Sequence, residues 1–67
     1  MTNTNKLKAK IAECGLTMKE LAKNINMSSA TFSQKVSGKT KFSQDDIRKI
    51  DQELNLTSDE IREIFLS

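Results

Sequence analysis

Eleven lysine and arginine side chains, nine aspartates and glutamates, one cysteine and no histidine limit the chemistry open to this 67-residue chain. No serine or cysteine has an imidazole to activate it, so nucleophilic catalysis lacks its usual base. Cys14 alone makes no internal disulfide and, without histidine, no zinc site. Asp45-Asp46 and Asp59-Glu60 pair carboxylates in a way that suits acid or metal chemistry. Each pair, however, falls in the first turn of an expected helix, where negative charge complements the dipole. Neither glycine stands in a phosphate-cradling loop. The expectation is a protein that is not an enzyme and needs no cofactor, metal or small-molecule substrate. Its remaining chemical resource is cationic, and the natural target of lysine is phosphate.

The lysines are unevenly placed. Residues 1 to 41 carry eight of them against Glu13 and Glu20, a surplus of six positive charges, whereas residues 42 to 67 carry three cations against seven acids. A small protein with one basic half suits a polyanion on that side, with the acidic half facing away. Charge of this kind is also common on solvated helix faces, so the positions of the lysines on their elements have to decide.

One local pattern recurs four times: an apolar residue, a hydroxyl, two spacers, a polar residue and another apolar residue. The copies are Leu16-Thr17 to Glu20-Leu21, Met27-Ser28 to Thr31-Phe32, Phe42-Ser43 to Asp46-Ile47 and Leu56-Thr57 to Glu60-Ile61. Each is an N-cap flanked by a hydrophobic staple, with a full capping box expected where the third helical residue is glutamate. A further helix starts near Thr4 or Asn5 and stops at Gly15. The predicted helices run near 5–14, 18–24, 29–36, 44–54 and 58–65, with no period-two alternation to suggest a strand. Leu7, Ile11, Leu21, Ala22, Ile25, Met27, Phe32, Val36, Phe42, Ile47, Ile50, Leu54, Leu56, Ile61 and Ile64 form the expected core of one all-α domain over residues 1–67.

Residues 17 to 38 read as two short helices joined by a turn too tight for an ordinary helical hairpin. Asn26 stands at the reversal, as a residue that tolerates positive φ. Ala22 is small enough to let the second helix cross closely. This is the shape of a helix-turn-helix DNA reader.

Length bears on assembly and location. A chain this short gains from a partner, and Ile61, Ile64, Phe65 and Leu66 present more apolar surface than so small a core is expected to cover. They are the expected interface of a homodimer, formed at least on DNA. No segment approaches the roughly 18 apolar residues of a membrane span or the apolar stretch of a signal peptide. The expected location is the cytoplasm, in soluble form.

From about residue 4 to residue 65 the sequence resembles the lambdoid phage repressor and Cro family. The resemblance rests on Leu21-Ala22, Ile25 before the turn, Ser28 to Phe32 opening the next helix, and Gly38-Lys39-Thr40-Lys41 after it. It implies a compact five-helix, lambda-repressor-like fold whose helix from about 29 to 36 enters the major groove. By that resemblance Ser29, Ala30, Thr31, Ser33 and Gln34 meet base edges. Gln34 is the strongest candidate, since a carboxamide pairs bidentately with adenine. Phosphate contacts map to Thr17, Lys19, Ser28, Lys35, Lys39 and Lys41, helped by backbone N–H groups at helix starts. Met18 also falls on a phosphate position, although its side chain donates no hydrogen bond.

Two departures stand out. Where relatives often pair an arginine with a glutamate, this chain has Ile11 and Val36, an exchange the fold should survive. Where they usually have glycine at the turn, it has Asn26. The implied function is a transcriptional regulator, most simply a Cro-like phage or prophage repressor that binds a palindromic operator as a dimer. The alternatives are an antitoxin-like autoregulator of the same fold and a helical adaptor that binds protein.

Overall fold

A computed structural model of the chain describes residues 2–66. Its elements are α1 (Thr4–Glu13), α2 (Met18–Asn24), α3 (Ser29–Val36), α4 (Gln44–Leu54) and α5 (Ser58–Phe65), with no strand among the described residues. The observed boundaries fall within about one residue of the predicted ones, because the start and stop signals are local.

Every helix start is held by a short polar side chain. Asn3 caps α1, one residue earlier than expected, and Thr17, Ser28, Ser43 and Thr57 cap the other four. Capping boxes close at Thr17/Glu20 and Thr57/Glu60, and also at Ser43/Asp46. The box at α4 is a correction, since glutamate alone was expected to close one. Aspartate reaches back equally well, and the Ser43 N–H donates to Asp46 Oδ2 at 2.9 Å.

The first three helices end in one geometry. Gly15 (φ 74°), Asn26 (φ 59°) and Gly38 (φ 91°) each take a left-handed conformation just past the helix. In each case the next N–H reaches back to a carbonyl of the last turn: Leu16 to Ile11, Met27 to Ala22 and Lys39 to Gln34. This is the Schellman motif, which satisfies carbonyls the helix leaves unpaired while turning the chain sharply. It makes the α2–α3 turn tight, with Ala22 fully buried near the crossing, and α2 and α3 form the most extensive helix pair.

The core contains Leu7, Ile11, Leu21, Ala22, Ile25, Phe32, Val36, Ile50, Leu54, Leu56, Ile64 and Phe65, with Met27, Phe42, Ile47 and Ile61 half-buried against it. Leu16 and Met18 join this shell, although the sequence pattern did not place them there. Ile11 and Val36 are both buried, so the place expected for an ion pair is filled by apolar packing.

The aromatic side chains form a chain of contacts. Phe42, from the loop after α3, meets Phe32 edge-on at 6.0 Å between ring centroids and Phe65 at 5.4 Å. Edge-to-face geometry sets the positive rim of one ring against the negative face of the next. These contacts bear on the residues expected at a dimer interface. Ile64 and Phe65 are buried within their own chain, Ile61 is half-buried, and only Leu66, 69 % exposed, projects from the group. The core reaches further along α5 than its size suggested because Phe42 folds back to cover Phe65.

Two long-range hydrogen bonds close the bundle. The Asn3 N–H donates to the Ile64 carbonyl at 2.6 Å, and Thr4 Oγ1 donates to the Val36 carbonyl at 2.6 Å. The start of α1 thereby holds the ends of both α5 and α3.

Candidate nucleic-acid interface

The base-reading candidates share one face of α3. Ser29, Ala30, Thr31, Ser33 and Gln34 are all exposed, while Phe32 and Val36, on the opposite side, are buried. Helical periodicity produces this division without any further device. The face carries hydroxyls, the Ala30 and Thr31 methyls and one carboxamide, the groups that can address base edges in a major groove.

The start of α2 lies beside it. Met18 and Lys19 share a shallow groove with Ser29, Phe32 and Ser33, so the first turn of α2 flanks the exposed face of α3. Thr17 caps that turn by accepting from the Glu20 N–H at 3.0 Å, which leaves its hydroxyl proton available to an anion. Ser28 differs: its Oγ accepts from the Thr31 N–H at 3.1 Å and donates to Thr31 Oγ1 at 2.8 Å. Its proton is engaged, whereas that of Thr31 is not.

At the C-terminal end of α3 stands the loop with Lys39 and Lys41, both exposed. The Gln34 carbonyl accepts from Lys39 N–H at 2.9 Å, Ser37 Oγ at 3.0 Å and Thr40 N–H at 3.4 Å. The loop is therefore tied to the backbone of the helix it flanks.

The lysines divide by partner in a way their order along the chain does not reveal. Lys6 pairs with Glu63, and Lys10 with Glu60 at 2.8 Å, both across the α1–α5 contact. The Lys10 ammonium is held above its ordinary pKa chiefly by its hydrogen bond to Glu60, and the Glu60 carboxyl is held below its own by Lys10 and the Thr57 backbone. These two lysines serve the fold, so the basic half presents less charge than its composition implies. Lys8, Lys19, Lys23, Lys39 and Lys41 have no ion-pair partner among the described residues.

Lys35, an expected phosphate contact, pairs within the chain with Asp46 at the start of α4, and both side chains are mostly buried. Burial raises the Asp46 pKa, but the hydrogen bonds from Lys35 and Ser43 outweigh it and hold the carboxyl below its usual range. This contact spans the α3–α4 loop, and no local sequence pattern announces it.

The sequence profile of a family described as helix-turn-helix matches residues 7–61, from the first core leucine of α1 into α5. The chain belongs to this helix-turn-helix family. Comparison with curated proteins and with solved structures returned no match. As a helix-turn-helix protein of the Cro type it is a DNA-binding transcription regulator, which agrees with the resemblance carried by Leu21-Ala22, Ser28 to Phe32 and the glycine-lysine loop. The helix-turn-helix itself is α2, the Asn26 turn and α3. No helix is long and apolar enough to cross a membrane among the described residues.

Proposed function

We propose that the chain is a Cro-like repressor that places α3 in the major groove of a short palindromic operator, one copy on each half-site. The observation that carries this reading is the exposed face of α3, with Gln34 as its one long hydrogen-bonding side chain, with Lys19 beside its first turns and Lys39 and Lys41 in the loop that follows it. Gln34 addresses adenine, while Ser29, Thr31 and Ser33 address nearby base edges and Ala30 a thymine methyl. Thr17, Lys19, Lys39 and Lys41 hold phosphates and fix the register, with Ser28 contributing through the start of α3. Repression follows from occupying promoter DNA.

Pairing of the two copies belongs to the DNA-bound state. A stable interface buries about 1,200 Å² or more, and Leu66 is the one large apolar side chain strongly exposed among the described residues. Two copies on one face of the duplex, about 34 Å apart, would add contacts between neighbours to the phosphate contacts each makes alone.

Selection from a random double-stranded DNA library at about 150 mM salt tests the proposal, because that condition suppresses purely electrostatic binding. The expected product is an inverted repeat with half-sites about one helical turn apart. Recovery of a single, unrepeated half-site would remove the paired arrangement, and recovery of no motif would favour a protein-binding adaptor.

A further inference from the structure

Asp46 is the one charged residue that is buried among those described, and it joins α3 to the start of α4. Its Oδ2 accepts the Ser43 N–H, which starts α4, and also receives the Lys35 ammonium from α3. Its own N–H donates to Ser43 Oγ at 3.0 Å. The loop between these anchors carries Lys39 and Lys41, both exposed, while the Lys35 side chain is 19 % exposed. One loop thus separates a lysine that is clasped from two that are not.

We propose that Asp46 is a positioning residue that withholds Lys35 from the DNA backbone and pins α3 to the start of α4, leaving phosphate attraction to the loop and to α2. The proposal rests on base reading by α3 as described above. For Lys35 to move to a phosphate it would strand the Asp46 carboxylate in a poorly solvated position, a penalty that Lys39 and Lys41 do not meet. Lysine on phosphate binds every sequence alike, so a clasped Lys35 lowers the non-specific background against which Gln34 discriminates. Asp46 would then act on specificity without touching DNA.

The test is the salt dependence of binding to a random-sequence duplex of about 30 base pairs, between about 50 and about 200 mM salt, in which each phosphate-bound lysine contributes about 0.9 to the slope of log K against log salt. Lys39→Ala calibrates the loss of one contact. The expected result is that Lys35→Met leaves the slope unchanged, Asp46→Asn steepens it by about 0.9 per protomer, and the double variant returns it to the wild-type value. Asparagine keeps an acceptor for the Ser43 N–H, and the double variant strands no charge, so it decides the matter even if a single variant proves poorly folded by circular dichroism. A slope that falls in Lys35→Met or in the double variant as it does in Lys39→Ala would overturn the clasp while leaving DNA reading intact. A folded Asp46→Asn protein with an unchanged slope would do the same. A wild-type protein that does not bind the duplex at low salt would overturn both readings.

Discussion

The backbone N–H of Lys39 donates to the carbonyl of Gln34 at 2.9 Å, so one hydrogen bond ties the backbone that carries the first cation of the loop to the backbone that carries the long polar side chain of α3. Their proposed roles can still be separated, because an ammonium addresses phosphate charge and a carboxamide addresses base identity. Lys39→Ala is expected to weaken binding to all DNA sequences alike and to lower the salt slope by about one per protomer, as read by fluorescence titration at several salt concentrations.

Gln34→Ala should behave in the opposite way. The expected loss is roughly 1–3 kcal/mol per half-site on the selected operator, with preference blurred at one base position and little change on random DNA. Equal losses on both probes would contradict a base-reading role.

Two positive-φ residues, one in the turn of the helix-turn-helix and one just after it, predict stability changes of opposite sign. At Gly38 a Cβ would meet nothing within 4 Å, so Gly38→Ala brings conformational strain without a clash and should destabilise by about 1 kcal/mol. At Asn26, φ 59°, glycine relieves that strain, and Asn26→Gly should stabilise by roughly 0.5 kcal/mol. Urea denaturation of the two variants beside the parent checks both signs.

Phe42→Ala removes the middle ring of the aromatic series. Because Phe42 is half-buried, the loss is expected near the low end for such substitutions, about 3 kcal/mol, and should appear in thermal unfolding. A loss below about 1 kcal/mol would mean that Phe32 and Phe65 close directly on each other.

The carboxyls of Asp46 and Glu60 are both held below their ordinary pKa in the folded chain. The unfolded chain therefore takes up protons first as pH falls, and stability declines through the carboxylate range while being complete above it. Lys10 has the reverse sign: its pKa is raised, so its contribution is present below the ordinary lysine value and is lost as pH rises through the folded one. Denaturation measured from about pH 7 to about pH 3 should show a steady fall that Asp46→Asn and Glu60→Gln each flatten. An unchanged slope in both variants would contradict this assignment.

Helix boundaries and the outward face of α3 were legible because their causes are local. Thr17, Ser28, Ser43 and Thr57 each announce a start within three residues, and Gly15, Asn26 and Gly38 each announce a stop. Contacts that cross between elements were not legible. Lys35 and Asp46 lie eleven positions apart on different helices, and Phe65 carries no mark in its neighbourhood that Phe42 will cover it. The pairing of Lys6 and Lys10 with α5 likewise depends on how α1 crosses the bundle. Sequence charge alone therefore gives no account of which cations are paired within the chain, and sequence hydrophobicity none of which apolar residues of α5 are buried.

The exposed residues of α3 take little part in holding that helix. Phe32 and Val36 anchor it from beneath, Ser28 starts it, and Gly38 ends it through the Gln34 backbone rather than its carboxamide. Ser29, Ala30, Ser33 and the Gln34 side chain can therefore be exchanged with little effect on folding. If α3 reads bases as proposed, the chassis and the code are written in different residues of the same eight-residue helix, and such a protein can acquire a new operator through successive surface substitutions, none of which has to pass through an unfolded intermediate.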